Sequence, residues 1–152
     1  MSNIAFPAPD ESLIARRADI IAGLAKLVPP ECLVTSMDER RAFETDGLLS
    51  YRRLPLAVVL PRSTQEVSAV MRYLHHEGVK VVARGAGTSL SGGAIPLEDS
   101  VVVGVGKMRE ILDVNYADRV IRVETGCTNL SITGAVSADG FFYAPDPSSQ
   151  LA

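Results

Sequence analysis

The stretch VVARGAGTSLSGG, residues 81–93, carries four glycines, three hydroxyl side chains and one arginine directly after apolar, strand-like residues. Glycine adopts positive φ angles easily and lets successive backbone N–H groups face one anion. We therefore predict a phosphate-binding loop in which Arg84 adds a positive charge and Thr88, Ser89 and Ser91 add hydroxyl donors. The alternative is a turn that merely joins two strands, but four glycines are more than such a turn needs.

The residues before this loop predict a strand, a helix and a second strand. LPLAVVLP, residues 54–61, is a short apolar run that suits a buried strand. Ser63 and Glu66 have the spacing of a helix capping box, and Gly78 stands where a left-handed C-cap is expected. VKVVA, residues 79–83, predicts the second strand. A βαβ unit of about thirty residues implies parallel strands, and the loop then begins at the carboxyl end of a strand, where α/β sheets bind ligands.

The other segments give simpler predictions. ESLIARRADIIAGLAKLVPP, residues 11–30, has helical periodicity, with Ser12 as the expected N-cap and two prolines as the stop. Further elements are expected as follows: a short helix over 38–43, strands in SVVVGV (100–105) and DRVIRVETG (118–126), and a helix in TNLSITGAVSADG (128–140) that is capped by Thr128 or Asn129 and ends at Gly140.

Composition limits the possible functions. The chain has 152 residues, 47% of them hydrophobic, which suits one domain with its own core. A net charge of −3 without a basic cluster argues against a nucleic-acid partner. We expect no secretory signal, because the first residues lack a basic n-region and an unbroken apolar run, and no transmembrane segment, because no apolar run approaches roughly 20 residues. Cys32 and Cys127 are expected to be reduced, buried thiols, and His75 and His76 to be exposed at a helix end.

The sequence does not match the spacing of two well-known phosphate-binding motifs. The dinucleotide motif GxGxxG requires a glycine at 90 after Gly85 and Gly87, but Leu90 is there and a strand follows instead of a helix. The P-loop motif GxxxxGK[ST] requires lysine after Gly92, but Gly93 is there. What remains is an anion-binding loop between strands.

LPLAVVLPRSTQEVSAVMRYLHHEGVKVVARGAGTSLSGGAIP, followed by VETGCTNLSITGAVSADGFFYAPDPSSQLA, resembles the PCMH-type FAD-binding domain of the vanillyl-alcohol oxidase superfamily. Within it, the chain most resembles glycolate oxidase flavoprotein subunits and FAD-linked D-lactate dehydrogenases, from about residue 30 onward. The resemblance implies an α+β fold: a βαβ N-terminal subdomain and the start of a second, mixed-sheet subdomain, truncated. Residues 1–54 would be a helical segment leading into the domain, and 55–152 the first part of the FAD-binding domain.

The resemblance also implies which residues hold the cofactor. One set would wrap the FAD pyrophosphate through the first loop, namely Arg84, Gly85, Ala86, Gly87, Thr88, Ser89 and Gly92. A second set would line the other side of the pyrophosphate and the ribityl chain, namely Pro145, Asp146, Pro147, Ser148 and Ser149. Relatives that bind flavin covalently often carry histidine at the position of Thr88, so FAD is expected to be non-covalent at this site. Cys127 lies in no attachment motif and is expected to be a core residue.

For the full-length protein the resemblance implies FAD-dependent oxidation of a small 2-hydroxy acid. The catalytic residues would lie outside these 152 residues, so none is assigned. Iron–sulfur and second flavoprotein-like subunits are the implied partners, and the implied location is the cytoplasm, with peripheral attachment to the inner face of the membrane through those subunits. Two alternatives stay open: a non-catalytic module, and a phosphate-binding domain for another nucleotide.

Overall fold

The computed structural model describes residues 6–144 and has an α+β architecture with two sheets. The strands are β1 (Leu33–Val34), β2 (Ala57–Val59), β3 (Lys80–Arg84), β4 (Ser100–Gly104), β5 (Ile111–Asn115) and β6 (Val120–Val123). The helices are α1 (Glu11–Ala15), α2 (Arg17–Leu24), α3 (Met37–Arg40), α4 (Thr64–His76) and α5 (Asn129–Val136), with short 3-10 turns at Pro30–Cys32, Arg41–Phe43 and Ser137–Asp139.

The central sheet has the strand order β1-β2-β4-β3. β4 pairs in parallel with both β2 and β3, whereas β1 is antiparallel to β2. The predicted β2-α4-β3 unit is therefore parallel, but its two strands are not neighbours, because β4 lies between them. The carboxyl ends of β2, β3 and β4 share one edge of the sheet, and the glycine loop, residues 85–93, follows β3 at that edge.

Helix α4 begins and ends as predicted. The Ser63 hydroxyl accepts a hydrogen bond from the Glu66 amide at 3.2 Å, and the Glu66 carboxylate accepts one from the Arg62 amide at 2.8 Å. Both bonds satisfy donors at the start of the helix. Gly78 has a φ of +68° just after the helix, which is the expected left-handed stop. His75 and His76 are exposed in the last turn, as expected.

The N-terminal helix differs from its prediction in three respects, the first being that α2 ends at Leu24 and not at the prolines 29 and 30. Its N-cap is Asp10, not Ser12: the Asp10 carboxylate accepts hydrogen bonds from both the amide and the hydroxyl of Ser12, at 2.9 and 2.6 Å. The helix is also divided at Arg16 into α1 and α2. After this break, Arg17 donates hydrogen bonds to the carbonyl oxygens of Leu56 and Thr35, which connects the helix to the central sheet.

The second sheet is a hairpin of which only one strand was predicted. β6 lies within the predicted DRVIRVETG segment, whereas β5 was not predicted. β5 has an irregular register between Ile111 and Asp113 and mostly exposed residues, so its sequence lacks a clean alternation of apolar and polar side chains. α5 follows, with Thr128 as its N-cap and a φ of +77° at Gly140, both within the prediction.

One hydrophobic core joins the first 54 residues to the rest of the domain. Leu13, Ile20 and Leu24 from the N-terminal helices pack with residues of α4, β2 and β4. Cys32 is buried in this core and Cys127 is half-buried, and both thiols are free. Among the helices of residues 6–144, none has the length and apolar character to cross a bilayer.

Candidate functional site

The glycine loop forms an exposed segment at the carboxyl end of β3. It begins a connection, residues 85–99, that returns to the start of β4 without a helix. Gly85, Ala86 and Thr88 are exposed, and Leu90 is 77% exposed at the tip. Exposed backbone at the carboxyl edge of a parallel sheet is where such folds bind ligands, so the position predicted from the sequence is the one that the structure has.

The glycines of the loop have different roles. Gly87 and Gly92 have φ angles of +75° and +78°, which side chains other than glycine rarely adopt. A Cβ at 87 would also lie 2.2 Å from the Arg84 guanidinium. A Cβ at Gly85, by contrast, would have no heavy atom within 4 Å. The absence of a side chain at 85 is therefore not required by the packing of the described protein, and leaves space beside the backbone for a ligand.

The backbone of the loop offers a run of donors. Within the described part of the chain, the amide N–H groups of residues 85–90 donate no hydrogen bond to a protein acceptor. The Ser89 hydroxyl accepts a hydrogen bond from the Ser91 amide at 3.3 Å and, among residues 6–144, donates none. Consecutive amides without protein partners are the donor set that binds phosphate oxygens in glycine-rich loops.

Arg84 points toward the protein interior beneath the loop. Its NH1 group donates hydrogen bonds to the carbonyl oxygens of Thr45 at 2.7 Å and Ala94 at 3.4 Å, and its guanidinium lies 5.5 Å from the centre of the Phe43 ring. Burial lowers the pKa of Arg84, and the carboxylate of Asp46 acts in the opposite direction and helps to keep the guanidinium charged. The positive charge that was predicted for this site thus lies directly under Gly87.

A segment that sequence reasoning did not connect with the site lies against this loop. The Thr45–Leu48 segment packs on it, and the Asp46 side chain, only 3% exposed, accepts a hydrogen bond from the Ala94 amide at 3.3 Å. A Cβ at Gly47 would lie 2.8 Å from the carbonyl oxygens of both Thr88 and Ser89. The sequence ETDG carries no long-range signal, and only its turn-like composition would have drawn attention to it.

The second predicted group of cofactor residues lies outside the described residues. Pro145, Asp146, Pro147, Ser148 and Ser149 remain predictions, as does their approach to the first loop. Cys127 is half-buried at the start of α5, where its Sγ lies 4.0 Å from the Thr128 carbonyl oxygen.

Comparison with known proteins identifies the family. The family model described as "FAD binding domain" matches residues 55–151. The chain belongs to this family. The chain is 44% identical over 136 residues to the glycolate oxidase subunit GlcD of Escherichia coli (strain K12), covering 90% of this chain and 27% of that protein. It is 32% identical over 135 residues to a D-lactate dehydrogenase of Archaeoglobus fulgidus, covering 88% of this chain and 29% of that protein.

A solved structure shows the same fold. An alkyldihydroxyacetonephosphate synthase superposes with a TM-score of 0.80 at 19% identity, over 98% of this chain and 29% of that chain. The predicted α+β fold is thereby confirmed. The chain spans less than a third of the length of each of these proteins.

The described residues fit FAD as the cofactor of this family. The pyrophosphate carries two negative charges and needs donors with little steric bulk. Such a surface is provided by the open space beside Gly85, by the Arg84 charge beneath Gly87, and by the six amides of residues 85–90, which have no acceptor among residues 6–144. Thr88 lacks the ring nitrogen through which a histidine at this position could attach to the flavin ring.

Proposed function

We propose that the glycine loop binds the pyrophosphate of FAD without a covalent link. The observation that carries this proposal is the run of amides over residues 85–90, which donate to no acceptor within the described part of the chain. These amides, with the hydroxyls of Thr88 and Ser89, would donate hydrogen bonds to the phosphate oxygens. Arg84 would stabilise the negative charge from beneath the loop at short range, while its own hydrogen bonds hold the loop.

The proposed activity of the full-length protein is FAD-dependent oxidation of a small 2-hydroxy acid. This rests on the names of the glycolate oxidase subunit and the D-lactate dehydrogenase that the chain resembles. FAD, when bound, supplies the acceptor for the hydride from the α-carbon of the substrate. The described residues would bind and orient the cofactor, and the residues that take the hydroxyl proton would lie in the rest of the full-length protein.

The full-length protein is further proposed to work as one subunit of a complex. The name of the Escherichia coli relative describes a subunit, and the proposed partners are iron–sulfur and second flavoprotein-like subunits that take the electrons onward. These partners would hold it at the inner face of the membrane. Affinity purification of the full-length protein from its own cells, with analysis of bound iron and flavin, tests this assembly; recovery of the flavoprotein alone would contradict it.

A substitution at Gly85 tests the placement of the cofactor. Gly85→Ala adds a methyl group that the described protein accommodates, so any loss of affinity would come from the approach of FAD. In the full-length protein we expect the Kd for FAD, measured by flavin fluorescence, to rise by about tenfold or more, equivalent to about 1.4 kcal/mol. Gly134→Ala, on the exposed side of α5 and also without a neighbour within 4 Å, is the matched control. An unchanged Kd for Gly85→Ala would overturn the proposed placement.

The substrate class is tested by turnover. Purified full-length protein with FAD should reduce an artificial electron acceptor when glycolate or D-lactate is added, and should not do so with acids that lack the 2-hydroxyl group. Turnover of neither hydroxy acid by a protein that has bound FAD would overturn the proposed substrate class and leave the cofactor assignment in place.

A further inference from the structure

The glycine loop rests on a segment from another part of the chain. The Thr45–Leu48 segment lies upstream of the matched family domain, residues 55–151, yet it contacts the loop near its start, middle and end. Arg84, the residue just before the loop, donates a hydrogen bond to the Thr45 carbonyl oxygen. Gly47 lies against the carbonyl oxygens in the middle of the loop. Asp46 accepts from the Ala94 amide just after the loop ends.

The Asp46 carboxylate is at the centre of this contact. One oxygen accepts the Leu48 amide at 2.8 Å and thereby fixes the local turn, while the other accepts the Ala94 amide at 3.3 Å. The side chain is almost fully buried, and its negative charge attracts the Arg84 guanidinium. A buried carboxylate that bonds two amides and has a nearby arginine is held firmly, because leaving either amide without an acceptor is unfavourable.

Gly47 allows the two backbones to approach each other. A Cβ at this position would lie 2.8 Å from two carbonyl oxygens of the loop, at Thr88 and Ser89, and 3.2 Å from the Leu90 side chain. Backbone atoms cannot move aside as a flexible side chain does, so a side chain at 47 would displace the loop. The carbonyl oxygens of Thr88 and Ser89 are thus held toward the Thr45–Leu48 segment.

We propose that Asp46 and Gly47 are positioning residues of the cofactor site, which set the conformation of the glycine loop before FAD binds. This inference rests on the proposed function of the loop. A loop already held in its binding conformation loses less conformational entropy on binding, and its ligand affinity rises accordingly. The matched domain alone would therefore be insufficient for tight FAD binding, and the segment upstream of it would be part of the site.

The test compares variants of the full-length protein. Asp46→Ala removes both acceptors, Asp46→Asn keeps the acceptor for one amide, and Gly47→Ala pushes the loop outward. We expect the Kd for FAD to rise by about tenfold or more for Asp46→Ala and Gly47→Ala, and by less for Asp46→Asn. The visible circular dichroism of flavin at saturating FAD should also change, since the loop would hold the pyrophosphate differently.

Asp99→Asn is the matched control. Asp99 is also a buried carboxylate that accepts a backbone amide, that of Asp10 at 2.8 Å, but it lies just before β4, at the opposite edge of the sheet from the loop. This variant should lower the thermal midpoint of the apoprotein and leave both the Kd for FAD and the flavin spectrum unchanged. If the Asp46 variants behave in the same way, their role is only structural and the proposal is overturned.

The outcomes separate this proposal from the one on which it rests. A wild-type protein that binds no FAD, or a Gly85→Ala variant with unchanged affinity, would contradict the proposed role of the loop. Wild-type binding with unaltered affinity in the folded Asp46→Ala and Asp46→Asn variants would overturn the positioning role alone. If Gly47→Ala does not fold, the milder Asp46→Asn substitution still decides the question.

Discussion

Lys80 and Asp99 form an ion pair with 2.5 Å between Nζ and Oδ2, although the Asp99 side chain is fully buried. The same Asp99 oxygen accepts the Asp10 amide, so the start of α1 is joined to the amino-terminal edge of the central sheet. Within the described residues, the second oxygen of Asp99 has no hydrogen-bond partner. Lys80 and Asp10 are therefore the two groups that compensate a buried negative charge.

Removing Lys80 should destabilise the protein. Lys80→Ala leaves the buried Asp99 carboxylate with the Asp10 amide as its donor, and we expect a loss of about 1–3 kcal/mol in the free energy of unfolding. The lysine is partly exposed, and solvent screening keeps the loss below that of a fully buried pair. Urea unfolding measures it. Lys26→Ala, at an exposed lysine, should change stability by less than about 0.5 kcal/mol; equal losses would contradict the prediction.

The contribution of Asp99 should depend on pH. Burial acts to raise the pKa of Asp99, but hydrogen bonds from Lys80 and the Asp10 amide lower it below its ordinary value of 3.8, and they prevail. A lowered pKa means that the stabilisation is present above the unfolded value and is lost as the pH falls through the folded value. Thermal midpoints of the wild type and Asp99→Asn should therefore differ at pH 6 and converge below about pH 4. A constant difference down to pH 2 would exclude this origin.

Substitution of Gly87 by alanine should destabilise the protein, in part because the new side chain would meet Arg84. Gly87→Ala combines a positive φ with a Cβ that lies 2.2 Å from the guanidinium, and we expect about 1–3 kcal/mol of destabilisation in the absence of FAD. Arg84→Ala removes the obstacle, so the double variant should be more stable than the sum of the two single effects by about 0.5 kcal/mol or more. Additive effects in this cycle would show that the two residues do not collide.

Substitution of Gly126 by alanine should also destabilise the protein, because the new side chain would meet backbone atoms. A Cβ at this position would lie 2.3 Å from the Val105 carbonyl oxygen and 2.8 Å from that of Met108. Gly126→Ala must therefore displace the chain between β6 and α5, at an expected loss of roughly 1–3 kcal/mol. Gly106→Ala, which meets no heavy atom within 4 Å, is the control. Equal thermal midpoints for the two variants would contradict this packing.

Local signals allowed the helix α4 and its surroundings to be predicted from the sequence. The Ser63 cap, the positive φ at Gly78 and the position of the glycine loop all depend on neighbouring residues, and all are confirmed. The insertion of β4 between β2 and β3 could not be predicted in this way, because strand order depends on pairing between distant segments.

The same limit applies to the candidate site. The glycines indicated where an anion could bind, but the direction of the Arg84 side chain depends on Thr45, which is 39 residues away in the sequence. Asp46 lies in a short polar stretch that is typical of a turn, and nothing nearby in sequence marks it as a partner of Ala94. Its relation to the loop becomes visible only when both segments are placed on the same edge of the sheet.

The order of strands in the central sheet has a consequence for biosynthesis. Among the described strands, β3 pairs with β4 alone, and β4 leaves the ribosome last of the four. During translation, β3 and the glycine loop that follows it can join the sheet only after residue 104 has emerged and β4 has paired with β2. Asp46 and Gly47 are by then already synthesised. The glycine loop of the nascent chain thus reaches its place in the fold only in the final step of central-sheet assembly.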